Sequence, residues 1–383
     1  MEDTFRKLRL NSPPGGWFPA IQDLFWRITE SSIPYADLFF SPHLKNICIF
    51  MSLSWIHSGI PRDILPSVAS TISALPSSTL QYLCVDNTMP RADLKDPLSS
   101  VVLRFGPSLT RFIPSVPLSD AAINHLIRLP HLRGWRVEGP PPSYSALSLP
   151  LVFPPLADLT LGGDNPHGWL SLFEHPEDST SATPGVTPLS VMKESLECLD
   201  IENTPNHTID VSFISPIHMF HNLATLFIQA DCYETDDEDQ CTFKLNDDDV
   251  AKLTMALPQL EVLILGAPCP ENACATTVAC LLQISVHCVK LQELTIHFNT
   301  TNIVDDLKNV LGDPRFAELR SSPRCALSYL GVWQTPLTVD GLDIEVVVNG
   351  MVDIFPSLGP CEEETHNLDW KEFFERIGEL RRI

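Results

Sequence analysis

Basic residues are scarce. The chain has 383 residues, with 25 lysines and arginines against 48 aspartates and glutamates, for a net charge of −23. A surface of that sign repels phosphate backbones and anionic headgroups, so neither nucleic acid nor a membrane is an expected partner. Long apolar runs are also missing. None approaches the roughly 20 residues that a bilayer crossing needs. The opening "MEDTFRKLRL" lacks the basic, then apolar, then small-residue order of a secretory leader. The 11 cysteines include no CxxC pair, and their number is odd. The expectation is reduced thiols in the cytoplasm or nucleus, which makes the sequons at Asn206 and Asn299 chance matches.

Recognisable catalytic patterns are absent as well. There is no G-x-x-x-x-G-K-[ST] phosphate cradle, no G-x-S-x-G elbow and no H-E-x-x-H. Cys269, Cys274, Cys280 and Cys288, with His287, are spaced by five, six and eight residues. Those spacings do not match the paired knuckles of structural zinc, so buried thiols are expected instead. The acidic run 231–249 lacks the turn glycine of an EF-hand loop and reads as a solvated connection. Within it Thr235 precedes four acidic residues and is a weak candidate for phosphorylation. His297 is expected on the surface of a strand. The sequence therefore implies no enzyme, no cofactor and no metal.

What the chain does contain is proline and repetition. Its 34 prolines are nearly twice the average share of about 5%, which favours many short elements separated by turns. "LPHLRGWRV" (129–137) and "LPQLEVLIL" (257–265) write one phrase, x-x-x-L-x-x-L-x-L. It recurs in "FPAIQDLFW" (18–26), "SPHLKNICI" (41–49), "SSTLQYLCV" (77–85) and "FPPLADLTL" (153–161). Further copies are "KESLECLDI" (193–201), "FHNLATLFI" (220–228), "CVKLQELTI" (288–296) and "RCALSYLGV" (324–332). "GPSLTRFIP" (106–114) reads as a damaged copy, and Phe5, Leu8 and Leu10 as a leading fragment. The phrases begin 23 to 40 residues apart.

The last two apolar residues of each phrase are two apart, so an extended strand points both to one side. Helix-like stretches lie between phrases. "SDAAINHLIRL" (119–129) has Ser119 as N-cap and Ala122, Leu126 and Leu129 at helical spacing. "NDDDVAKLTMAL" (246–257) has Asn246 as cap and three aspartates where the helix dipole favours them. A strand, a loop, a helix and a return loop make one unit that buries its apolar side only against its neighbours. This predicts an α/β solenoid over residues 1–360, with a parallel sheet on a concave inner wall and helices and loops outside. The strands should centre near residues 24, 47, 83, 135, 159, 199, 226, 263, 294 and 330. Residues 174–190 read as a mobile insertion. Residues 361–383 read as a helical cap, with Trp370, Phe373, Phe374, Ile377 and Leu380 on one stripe.

The pattern resembles the leucine-rich-repeat family, and its irregular unit length is similar to the repeat region of fungal F-box proteins. The asparagine or cysteine that usually follows the last leucine is mostly absent. The F-box itself is not seen. "IPRDILPSVASTISALP" (60–76) imitates its opening but runs straight into a repeat phrase and is read as a repeat helix. The resemblance implies a non-enzymatic protein-recognition module, a substrate receptor related to cullin-type ubiquitin ligases. Binding of the Skp adaptor is expected only if an F-box lies upstream. The alternative is a repeat-scaffold regulator of an enzyme, such as a GTPase activator or a nuclease inhibitor.

A partner should meet the residues that flank the phrase leucines, since those point out of the core. Aromatic residues and arginine at such positions are the usual anchors of interfaces. The expected anchors are Phe25, Tyr82, Arg136, Phe227, Ile264, Tyr329 and Trp333.

Overall fold

The computed structural model describes residues 2–11, 17–29, 32–51, 65–76, 78–86, 92–139, 154–162, 166–173, 189–203, 208–230, 242–266, 275–314, 317–332, 337, 343–359 and 368–381. It divides into two compact units, one of residues 1–169 and 176–195 and the other of residues 170–175 and 196–383. Each is an α/β leucine-rich-repeat array built on parallel strands.

In the first unit the strands are β1 (Asp23–Ile28), β2 (Asn46–Met51), β3 (Tyr82–Asp86), β4 (Arg111–Pro114), β5 (Gly134–Val137) and β6 (Asp158–Leu161). They pair in chain order and in parallel. In the second unit β7 (Cys198–Asn203), β9 (Thr225–Ala230), β11 (Val262–Gly266), β12 (Glu293–Ile296) and β13 (Tyr329–Gly331) do the same. The short strands β8 (Thr208–Ile209) and β10 (Thr242–Phe243) form a separate parallel pair. All ten expected strand centres fall inside strands. The copy read as damaged is a full member too: Leu109 and Phe112 are completely buried, and Phe112 pairs with Leu83 and Trp135.

The phrase buries what its spacing says it should. In the nine copies from Leu44 to Val332 each of the three apolar residues is at most 3% exposed. The first copy is looser, with Ile21 and Leu24 half-buried and Trp26 covered. The leading fragment is a correction. Residues Glu2–Leu10 form a helix, and Phe5 stacks on Tyr35 at 5.5 Å and meets the edge of Phe39. Its Phe5–Leu8 spacing fits one helical turn as well as a strand entry, and a single β-branched residue, Thr4, is too little to favour the strand.

One backbone pattern holds the strands in step. The carbonyl of Gln22 accepts two N–H groups, from Lys45 at 2.8 Å and Asn46 at 2.9 Å. The carbonyl of Lys45 accepts from Gln81 and Tyr82, that of Gln81 from Thr110 and Arg111, and that of Thr110 from Arg133 and Gly134. The second unit repeats this at Glu197, Ala224, Glu261 and Gln292. Each acceptor directly follows the first apolar residue of its phrase, and each first donor holds the same place in the next copy. No copy has proline there, since proline would remove the donor.

The helices follow their caps. The Ser119 hydroxyl accepts the Ala122 N–H at the start of Asp120–Ile127, which buries Ala122, Ile123 and Leu126. Asn246 and Asp249 form a reciprocal capping box at the start of Asp247–Ala256. In the acidic segment 231–249, residues 242–243 are strand rather than loop, and 247–249 form the first turn of the helix expected over 246–257. Residues 231–241, with Thr235, lie outside the described residues. The proposed insertion also ends earlier, because Leu189 and Ser190 open the helix Leu189–Ser195. Its residues 174–188 lie outside the described ones. Residues Leu65–Ser73 are a helix that buries Val68, Thr71 and Ile72, as the repeat reading of 60–76 expects; 60–64 are not described. At the far end Leu368–Leu380 buries Trp370, Phe373, Phe374 and Ile377. Trp370 meets Phe298 edge-on at 6.3 Å. Leu380 is 43% exposed, so the apolar stripe stops one turn early.

Candidate functional site

Side chains alternate across a strand, so the phrase leucines leave their neighbours on the opposite face. Parallel pairing then lines these neighbours up in rungs that cross several strands. In the first unit one rung runs Asp23, Asn46, Tyr82, Arg111, Gly134, Asp158. Asn46 donates to the Asp23 carboxylate at 2.5 Å. Arg111 reaches over Gly134 to pair with Asp158 at 3.1 Å. A Cβ at Gly134 would lie 2.7 Å from Arg111 Cγ, so the missing side chain is what lets the arginine cross β5.

The next rung of this unit includes Phe25, Cys48 and Cys84. Phe25 is 76% exposed and stacks at 6.4 Å on Phe50, two residues beyond Cys48 on β2. Cys48 and Cys84 face the same way yet are covered, being short side chains beside the larger Tyr82. Tyr82 is hydrogen-bonded to Cys84, and burial, with the neighbouring thiols, pushes its phenol well above the ordinary range. It is a neutral donor or acceptor at physiological pH. Arg136 is half-buried and pairs with the buried Glu138 at 2.6 Å. Its guanidinium is thus engaged with its own strand.

The corresponding face of the second unit is different. One rung runs Asp200, Phe227, Ile264, Thr295, Gly331. Phe227 and Ile264 are direct register partners, and both are half-buried. Val262, at the previous outward position of β11, is half-buried as well. Thr295 leans over Gly331, where a Cβ would lie 2.4 Å from its hydroxyl. Tyr329 pairs in register with Glu293, one rung back. His297 is a correction to the surface expectation: it is 4% exposed. β12 ends at Ile296, and the following turn is clamped when the Thr276 hydroxyl donates to the His297 carbonyl at 2.9 Å.

Of the seven expected anchors, then, Phe227 and Ile264 come together, and Tyr329 stands two strands from Ile264 and one rung back in the same unit. Phe25, Tyr82 and Arg136 lie on separate strands of the other unit, and Arg136 is tied to Glu138. Trp333 lies outside the described residues. Sequence reasoning missed Arg111. It sits at an outward position of the copy read as damaged, and the signal was present in the Leu109–Phe112 spacing. Cys280 and Cys288 are buried thiols, and burial pushes Cys288 up to about 12. Cys269 and Cys274 are not described. Among the described residues no helix is long and apolar enough to cross a membrane.

No family model matches the chain, and no match is found among curated proteins. Solved structures do show a likeness. A chain of the yeast Rad7–Elc1 complex is 14% identical over 93% of this chain and 77% of that one, with a TM-score of 0.46. An internalin of Listeria monocytogenes is 12% identical over 94% and 79%, with a TM-score of 0.34. A leucine-rich-repeat protein of Leptospira interrogans is 13% identical over 95% and 98%, with a TM-score of 0.25.

Proposed function

We propose that the chain is a protein-recognition module, and that the outward face of the second unit carries the contact. The observation that supports it is the in-register pair Phe227–Ile264. Two large apolar side chains stand side by side on the face that the core leaves free, with Val262 at the previous outward position of β11. A half-buried apolar step of this kind gains free energy when a partner covers it, and aromatic residues at such places carry a large share of binding energy. The resemblance to F-box proteins suggests that the partner is a target for ubiquitination. The helix Leu65–Ser73 uses its apolar stripe inside the repeat core, so this chain alone should not engage a Skp adaptor.

The test is affinity capture with the whole chain and two variants, Ile264→Asp and Val289→Asp. Val289 is exposed but lies outside the strand rungs. Proteins retained by the wild type and by Val289→Asp, and lost with Ile264→Asp, support the reading. Retention that ignores Ile264→Asp removes it. Purified Skp adaptor should show no binding. Tight binding that is lost on Leu65→Asp would mean that this stretch docks the adaptor after all.

A further inference from the structure

Among the described residues β1 pairs with β2 alone, which leaves one side of its backbone open. The phase of that side follows from one bond. The Asn46 N–H donates to the Gln22 carbonyl, and in a parallel pair alternate residues turn both polar groups to the same neighbour. Gln22, Leu24 and Trp26 therefore address β2, and Asp23, Phe25 and Arg27 address the open edge. These same three residues carry exposed side chains. The edge thus presents backbone donors, backbone acceptors, an acid, an aromatic ring and a base in one six-residue strand.

Their order is self-complementary. Let two copies of β1 run antiparallel about a two-fold axis at Phe25. Phe25 then faces Phe25 of the second copy, Asp23 faces Arg27 and Arg27 faces Asp23. All three are edge-facing residues, so each pair is a hydrogen-bonded pair of an antiparallel ladder, and the required backbone phase is met. Leu24 and Trp26 face each other on the side of the core. Sliding by one hydrogen-bonded step in either direction sets Phe25 opposite a charge, and a further step sets Asp23 against Asp23 or Arg27 against Arg27. Among the described residues Arg27 has no ion-pair partner inside its own chain.

We propose that the chain forms a two-fold dimer through antiparallel β1–β1 pairing centred on Phe25. The opposite terminal strand, β13, is different: it has three residues, and the Gly359 N–H already binds the carbonyl of Ser328 beside it. Short, covered edges are how sheets avoid pairing, whereas a six-residue open one invites it.

Sedimentation velocity on the full chain tests this. The monomer is 42.6 kDa, and a species of twice that mass should appear as the chain is raised toward about 100 µM, as expected for a small interface. Arg27→Asp places like charges in both outer pairs and should weaken the dimer at least about tenfold. Adding Asp23→Arg to it reverses both charges and should restore the dimer. Phe25→Cys supplies an independent readout. Cα atoms in a hydrogen-bonded antiparallel pair are about 5.5 Å apart, inside the span of a disulfide. Mild oxidation should cross-link that variant far faster than Val289→Cys. A chain that stays monomeric overturns the proposal, as does a dimer indifferent to Arg27→Asp or one not rescued by the charge swap.

Discussion

The outward faces of the two units are made from the same positions of the same phrase, yet they are chemically unlike. On the inner strands of the first unit the charged residues satisfy one another, Arg111 with Asp158 and Arg136 with Glu138, and only the edge strand β1 keeps Asp23, Phe25 and Arg27 exposed. In the second a phenylalanine and an isoleucine meet with an adjacent valine. A charge paired within its own surface has little left to offer a partner, because binding would first have to strip water from both members. An apolar pair at the surface has the reverse property, since covering it costs little and releases water. The difference shows that repetition specifies where a side chain points, while the residue placed there decides whether it recognises anything.

The strongest test of this contrast is core truncation. Phe112→Ala in the first unit should cost about 3–5 kcal/mol and Leu263→Ala in the second about 2–5, both being fully buried. Hydrogen exchange should show each change loosening mainly the amides of its own unit. Equal loosening of both units by either variant would break the comparison. Next in size is Phe227→Ala. It should weaken partner binding by roughly 2 kcal/mol, about thirtyfold, while lowering stability by about 1 kcal/mol or less. If it destabilises as much as Leu263→Ala, the outward assignment of β9 is reversed.

Acid should separate the units as well. Burial, with the nearby Lys252 charge, holds His218 below the ordinary histidine range, and burial alone does the same to His287. Both are in the second unit. A depressed folded value means that the unfolded chain binds protons more readily. Stability is therefore intact above the unfolded value of about 6.5 and is lost as the pH falls through it. Thermal melting followed by exchange in the second unit should show a fall below about pH 6.5, and the double variant His218→Gln, His287→Gln should flatten it. The smallest effect is expected at Arg111→Ala. This pair is half exposed, so its loss should move stability by no more than about 0.5 kcal/mol. A larger drop would mean that the ion pair holds β5 in place.

The strands were legible because the phrase is dense in leucine and its spacing has one physical solution. From Leu44 onward the three apolar positions of every copy are covered, and they announced themselves without a structure. Two things hid the rest. A single odd residue was enough to disguise a copy: Pro114 stands where a leucine belongs, and with it went the outward position of Arg111. Small residues also carry no pattern. Nothing in "LRGWRV" says that Gly134 is vacant so that an arginine from the next strand can pass over it. The N-terminal helix failed for the opposite reason, since Phe5, Leu8 and Leu10 fit two periods at once. Of the expected anchors, the sequence distinguished inward from outward correctly for Phe25, Phe227 and Ile264. It could not foresee that Glu138 would occupy Arg136, or that His297, one residue past β12, would be buried.

The doubly accepting carbonyls also bear on how such a chain can change length. Within each unit every strand of the main sheet is fastened to the next by a carbonyl that recurs at one position per copy, and the residues between copies take no part in that fastening. A cut from Ala224 through Leu260 would bring the Glu261 and Val262 amides to the carbonyl of Glu197, which now receives Ala224 and Thr225. The bond pattern across the seam would be unchanged. Copies are thus exchangeable links, free to be lost, duplicated or padded with new loops, and a gap of 37 residues between phrase starts, as between 220 and 257, is as acceptable to the sheet as one of 23.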